Sequence, residues 1–224
     1  MPAFIFDLDG TLVDSVYQHV RAWNTALTEC DLQLSVWRIH RRIGMSGGPL
    51  VRALMRELGR EIDPDTTERL KRRHAEEFQS LLPSIRPLPG ARELLRELSD
   101  LNVKWTIATS AAAADAAPMF ELLGVPPNVP VTTRDDVDRA KPDPDVFLTA
   151  AQKLGVDSSD AMAVGDSVWD MLAARRAHFL SIGILAGGYG ATELEQAGAY
   201  RVYADPDDLR RHLDEVGVRE EERT

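Results

Sequence analysis

The chain has 224 residues, 44% of them hydrophobic, and a formal net charge of −10 at pH 7. That is enough for one large or two small domains with a core, and the negative balance argues against nucleic acid or an anionic membrane as partner. Cys30 is the only cysteine, which excludes an internal disulfide, and with no basic-then-apolar amino-terminal stretch a cytoplasmic protein without signal peptide or spanning helix is expected.

In chain order, the apolar run Ala3-Phe4-Ile5-Phe6 reads as a buried strand, and Asp7-Leu8-Asp9-Gly10-Thr11 follows directly. Charge at the end of a buried strand is costly unless chemistry needs it. Side chains alternate faces along a strand, and Gly10 permits a tight turn that returns Asp9 toward Asp7. Two readings stay open on these residues alone. One carboxylate attacks while the other handles a proton, or the pair is an Asp-x-Asp turn that holds Mg²⁺ or a nucleotide sugar.

Helical apolar spacing runs around Val16 to Leu27, Leu50 to Leu58 and Thr67 to Leu82, and Pro83, Pro87, Pro89 and Gly90 mark a return linker. Over 90 residues separate Asp9 from the next good strand near Val103, far more than a β–α–β crossover needs. A helical insert over 14–85 is therefore expected, with hinges at Leu12-Val13-Asp14 and Ser84-Ile85-Arg86. A lid of this kind excludes water and opens for release.

The remainder alternates helix and strand. Helices are read near 91–99, 112–123, 145–154, 168–177 and 206–214, and strands near 103–108, 129–133, 161–165, 180–184 and 200–203. The expected fold is α/β, a doubly wound parallel sheet with a Rossmann-like core (1–13 and 86–224) and an inserted α-helical cap (14–85). Polar groups follow the strands: Thr109-Ser110, then Lys141, then Asp166-Ser167 with Asp170. Ligands of open α/β sheets bind outside the carboxyl ends of the strands, so these groups are expected to converge. Asp143 before Pro144 reads as a helix N-cap with proline at the first helical position. The terminal Arg219-Glu220-Glu221-Glu222-Arg223 run reads as a solvated end.

Read together, DLDGT (Asp7 to Thr11), ATS (Ala108 to Ser110), KPDP (Lys141 to Pro144) and GDSVWD (Gly165 to Asp170) resemble, in order and each at a strand end, the four motifs of the haloacid dehalogenase-like hydrolases. The similarity is to the subgroup with a helical cap after the first strand and covers nearly the whole chain. It implies that Asp7 is the nucleophile, Asp9 the general acid/base, Ser110 the phosphoryl-binding hydroxyl, and Lys141 the charge-neutralising lysine. Gly10 and Thr109 are expected at the same phosphate site. The metal set would be Asp7, Asp9 and Asp166, with Asp170 in support. Family members that remove halide or cleave carbon–phosphorus bonds lack an acid at the second position, so Asp9 points to phosphate esters.

Charge explains the company these residues keep. Three aspartates and a phosphate dianion against one lysine leave about −4, and like charges at about 4 Å repel by roughly 4 kcal/mol per pair at an effective dielectric of about 20. A divalent cation relieves this. An all-oxygen ligand set suits Mg²⁺, and there is no His/Cys cluster for zinc. Asp7 would form an aspartyl phosphate, while Asp9 starts protonated, gives its proton to the leaving oxygen and then takes one from water.

Substrate residues are less defined. His19 is similar to a hinge histidine of the family's sugar-phosphate mutases, or is an ordinary helix histidine. Arg41-Arg42-Ile43-Gly44-Met45-Ser46-Gly47-Gly48 resembles the cap's substrate-facing turn, with Arg42 and Gly44 the expected contacts, or is a helix-end turn with solvated arginines. The mutases carry a basic residue about where Gly47 stands, so mutase activity is disfavoured. Arg72 and Arg73 either substitute for that basic residue from the next cap helix or form a solvated face, Ala111 to Ala114 offer no extra side chains to contact substrate, and Gly187-Gly188-Tyr189-Gly190 either borders the active site or is accounted for by turn chemistry. His178 stands where relatives often have glycine.

The expectation is a Mg²⁺-dependent phosphatase for a small phosphorylated metabolite, such as phosphoglycolate or a sugar phosphate, with no obligatory protein partner. The alternatives are a sugar-phosphate mutase and, more remotely, a non-catalytic phospho-acceptor or phosphate-binding module.

Overall fold

The computed structural model describes every residue except Met1, Ser46, Arg60, Ile62, Ala140 and 219–224, so the run Arg219 to Arg223 lies outside the described residues. The first strand, β1 (Ala3–Phe6), is followed by a tight loop and β2 (Val13–Asp14). Four helices come next: α1 (Val16–Glu29), α2 (Val36–His40), α3 (Gly47–Leu58) and α4 (Pro64–Leu81). The chain returns through β3 (Arg86–Pro87), then runs α5 (Ala91–Asp100), β4 (Trp105–Ala108), α6 (Ala113–Leu123), β5 (Val131–Thr132) and α7 (Asp145–Leu154). It ends with β6 (Ala161–Gly165), α8 (Val168–Arg176), β7 (Leu180–Ile184), α9 (Ala191–Ala197), β8 (Arg201–Tyr203) and α10 (Pro206–Arg211).

Six strands form one parallel sheet in the order β5-β4-β1-β6-β7-β8. Phe4, Ile5 and Phe6 of the central strand are completely buried, as expected of a parallel strand covered by helices on both faces. Burial contributes about 1.5–3 kcal/mol for each such side chain. The chain moves outward from β1 to β4 and β5, then crosses back to β6 on the other side. The carboxyl end of β1 therefore lies at the topological switch point, where an open α/β sheet leaves a crevice.

The stretches read as hinges pair with each other: Val13 faces Pro87 and Asp14 faces Arg86 in a two-stranded antiparallel ribbon. The helices between them carry their own apolar cluster, built on Val20, Trp23, Leu27, Ile39, Leu50, Leu54 and Leu70. Ala22 of α1 and Phe78 of α4 instead join the cluster beneath the sheet, which ties the two helices to it. Helix α4 starts on Asp63, whose carboxylate accepts the Thr66 N–H at 2.8 Å, with Pro64 in its first turn.

Several local expectations need correction. Asp143 is not an N-cap: Pro144 occupies that position, α7 begins at Asp145, and Asp143 lies 3.8 Å from Arg176. The fixed φ of proline serves the turn before the helix rather than its first turn. The strand expected over 129–133 shrinks to Val131–Thr132, because Pro130 has no N–H for a ladder. Helix α10 stops at Arg211 and is followed by a short 3₁₀ turn, Leu213–Val216. Helices α2 and α9 were not anticipated. His178 has φ 60°, the left-handed conformation that glycine adopts more readily. Among the described residues no helix is long and apolar enough to cross a membrane.

Candidate active site

Asp7 leaves β1 at the switch point, its N–H bonded to the Val164 carbonyl at 2.8 Å. The loop then doubles back, with Gly10 N–H on the Val13 carbonyl at 2.8 Å. Gly10 has φ 80°, and a Cβ there would stand 2.6 Å from Asp166 Oδ2, so both conformation and space require glycine. Thr11 donates its hydroxyl to Asp166 Oδ1 at 3.2 Å. The first motif is thereby fastened to the fourth.

Lys141 is completely buried. Its ammonium pairs with Asp7, lies 2.8 Å from Asp170 Oδ1 and donates to the Ala108 carbonyl at 3.3 Å. Asp170 has a second duty. Its Oδ2 accepts the Ser167 N–H (3.0 Å) and hydroxyl (2.6 Å) in the capping box that starts α8. One carboxylate thus holds both the lysine and the helix start.

Asp7, Asp166 and Asp170 each bring a carboxylate oxygen within 4.8 Å of the others, and all three are buried. One lysine against three carboxylates leaves two formal negative charges uncompensated, which is costly in a buried site. Burial pushes the Asp7 carboxyl up to about 7, against the pull of Lys141 and with added repulsion from Asp170 and Asp9. Asp166 is driven well above the usual carboxylate range by burial first, then by Asp170 and Asp7. Lys141 is raised: the nearby Asp170 and Asp7 outweigh the desolvation that would lower it. The donors are hard oxygens and the deficit is positive charge, so the residues fit a divalent cation. Asp9, expected in the metal set, is not part of this carboxylate cluster.

Asp9 points to the helical insert. Its Oδ1 accepts the Ser15 hydroxyl at 2.5 Å and lies 3.2 Å from His19 Nε2. His19 Nδ1 in turn sits 3.1 Å from His74 Nε2. The rings of His19 and Phe78 stack at 3.9 Å between centroids, and those of Trp23 and His74 at 4.2 Å. Burial alone would raise the Asp9 carboxyl, but His19 and Ser15, with Lys141 behind, hold it below its ordinary value. Burial, with His19 beside it, keeps His74 well below the usual imidazole range. Without a cation, then, Asp7 is the harder of the two aspartates to ionise, whereas the order expected from the sequence is that of a site with its cation bound. The reasons are the burial of Asp7 and the hydrogen-bonded histidine, which favours ionised Asp9.

Asp7, Asp9, His19, Gly44 and Ser110 line one cavity of about 280 Å³ between the sheet and the insert. Ser110 donates to the Gly44 carbonyl at 3.2 Å. Gly44 is where the insert's turn comes close to the sheet: a Cβ there would stand 2.8 Å from Ser167 Oγ. Gly10 and Thr109 are not part of the lining. Thr109 is buried, with its hydroxyl accepting the Ala111 N–H at 3.0 Å. Arg42, expected to contact substrate, is turned away: its Nε lies 2.8 Å from Glu57 Oε1 and its side chain sits over Trp169. A fixed carboxylate on α3 outcompetes the cavity for it.

Arg41 likewise pairs with Glu193 and stacks on Tyr189 at 4.1 Å. Its backbone carbonyl accepts the Trp169 indole N–H and the Tyr189 hydroxyl, both at 3.1 Å. His40 Nε2 meets the Gly187 carbonyl at 2.8 Å. These contacts latch the insert over the sheet. Gly187 is more than a turn residue, since a Cβ there would overlap Asp166 Oδ2 at 1.7 Å.

Sequence reasoning missed His74, Trp23, Lys71 and Arg134, all of which line the cavity, as do Ala111 and Ala112, from which no contact was expected. A signal for His74 was present: it lies four residues before Phe78, on the face of α4 that meets α1.

Residues 1–178 match the model of the haloacid dehalogenase-like hydrolases. The chain is 33% identical over 210 residues to a phosphoglycolate phosphatase of Rhodospirillum rubrum, covering 91% of this chain and 87% of the relative. It is 29% identical over 192 residues to a beta-phosphoglucomutase of Bacillus subtilis, covering 84% of each. A solved hydrolase from Pseudomonas syringae superposes with a TM-score of 0.93 at 49% identity, over 97% of this chain and 100% of that one. With this match and these relatives, the chain belongs to the haloacid dehalogenase-like hydrolase family and is an enzyme of its phosphatase class.

Proposed function

We propose that this enzyme is a Mg²⁺-dependent phosphatase of small phosphate monoesters, with residues 14–85 acting as a cap on a core of 1–13 and 86–224. The observation that carries the reading is Asp7 itself: buried at the switch point, paired to Lys141, and lining the same cavity as Asp9 and Ser110. Asp7, Asp166 and Asp170 would hold the cation, which when bound supplies positive charge that favours ionised Asp7 and offsets the phosphoryl oxygens.

Asp7 attacks phosphorus and the bond to the ester oxygen breaks, leaving an aspartyl phosphate. The departing oxygen takes its proton from Asp9. A dianionic phosphate brought beside Asp9 raises its carboxyl against the pull of His19, which supplies the proton where it is needed. Asp9 then accepts a proton from the water that attacks the phosphoryl group, and Asp7 is regenerated with release of inorganic phosphate. Lys141 and Ser110 stabilise the phosphoryl oxygens.

Hydrolysis is favoured over the mutase reaction by the state of the cap arginines. A mutase must grip a second phosphate, whereas Arg38, Arg41, Arg42 and Arg73 are each paired with a glutamate. The test is inorganic phosphate release from a panel of metabolite esters with Mg²⁺ or with chelator. Asp7→Asn is expected to lower kcat by about 10⁴-fold or more with the fold intact. Substantial retained turnover would remove the covalent assignment.

A further inference from the structure

Resting on the phosphatase reading, we infer that the preferred substrates are phosphate esters of compact apolar alcohols rather than of sugars or other polyols. The cavity holds about 280 Å³, on the order of nine water-sized groups, so a phosphoryl group leaves room for a small organic part. Much of the lining is apolar: Trp23, Ile43, Met45 and Leu50 from the cap, and Ala111 and Ala112 from the core. Trp23 and Leu50 also belong to the cap's packed cluster, so this wall is set by the fold.

The charged lining groups away from Asp7 each hold a partner already, which leaves a ligand only part of their hydrogen-bonding capacity. Lys71 Nζ donates to Glu68 at 2.7 Å, and Asp115 accepts from Gln79 Nε2 at 2.9 Å. Arg134 donates to the carbonyls of Val137 and Asp138. His74 faces His19 across 3.1 Å. Hydroxyls of a polyol turned toward the apolar wall would lose water and find no group to replace it, at a cost of about tenfold for each hydroxyl left unpaired. An alkyl or aryl group loses nothing in the exchange and gains from burial.

The test compares chain-matched pairs in the presence of Mg²⁺: butyl phosphate against erythritol 4-phosphate, and cyclohexylmethyl phosphate against glucose 6-phosphate. The apolar member of each pair is expected to have a kcat/KM at least about tenfold higher, and equal or reversed values would overturn the inference. Met45→Gln should shift the ratio several-fold toward the polyol, and an unmoved ratio would overturn the assignment to this wall. Calorimetric affinities of butylphosphonate and 3,4-dihydroxybutylphosphonate rank the cavity independently of turnover. Enzyme that hydrolyses no ester yet binds butylphosphonate more tightly defeats the phosphatase reading and supports the cavity assignment. The opposite binding order defeats the cavity assignment whatever the turnover.

Discussion

At the floor of the cavity Asp7 leaves the central strand, backed by the buried Asp166, Asp170 and Lys141; at its roof the cap presents Trp23, Ile43, Met45 and Leu50 from helices and a turn. The floor is charged and each of its groups is fastened twice. Asp166 is bonded by Thr11 and backed by Gly187, and Asp170 is held by both Ser167 and Lys141. The roof is held down by polar contacts around Arg41 and His40. On the proposed reading, reaction chemistry is built into the sheet, whereas the insert that would select the organic group is held to it by these polar contacts and by the packing of Ala22 and Phe78. The two ends should respond to different perturbations.

Lys141→Met should damage the floor most. It leaves the Asp7 and Asp170 carboxylates buried without a counter-charge, costing about 3–5 kcal/mol of stability together with most of the turnover. Urea denaturation without metal reads the first effect; a loss below about 1 kcal/mol would contradict the ion-pair arrangement. Gly187→Ala should strike the floor from behind, because its Cβ overlaps Asp166. The expected result is weakened Mg²⁺ binding by calorimetry, by about tenfold or more, with a fold unchanged by circular dichroism.

The two ends should also show opposite pH linkage. Asp7 has its carboxyl raised from 3.8 to about 7. The metal-free folded state therefore keeps a proton that the unfolded chain has released, and this group's stability contribution falls as pH rises from about 4 to about 7, by at most about 1.4 kcal/mol per pH unit. Mg²⁺ should consequently raise Tm more at pH 8 than at pH 5, and equal shifts would refute the linkage. His74 is depressed by burial. The unfolded chain takes up its proton first, so stability is lost as pH drops below about 6.5, and His74→Phe should flatten that limb of the Tm–pH curve.

The smallest effect is expected at the latch. Arg41 and Glu193 are 34% and 42% exposed, so Glu193→Gln should alter stability by less than about 1 kcal/mol. A change in KM of a few-fold, with Tm nearly constant, would mark the pair as a closure contact. An unchanged KM would make it a surface ion pair only.

The strands and the four polar segments were legible because each is local: a short apolar run, buried on both faces, ending at a carboxylate, hydroxyl or lysine. The family resemblance added roles to those positions. Arg42 and Asp143 were misread for the opposite reason. Their partners, Glu57 and Arg176, are 15 and 33 residues away in the chain, and no local pattern announces such pairings. Helix α9 escaped notice because a seven-residue helix offers too little periodicity to stand out.

By itself, then, the sequence determined the doubly wound core, the helical insertion and the set of acids and lysine, since strand patterning and turn chemistry act over a few residues. Only the tertiary structure decided that His19 leads on from Asp9 to His74, that Gly187 backs Asp166, and that Arg38, Arg41, Arg42 and Arg73 pair with glutamates. Those outcomes depend on which side chains meet across the closed interface between insert and sheet, where burial and competing charges choose each partner.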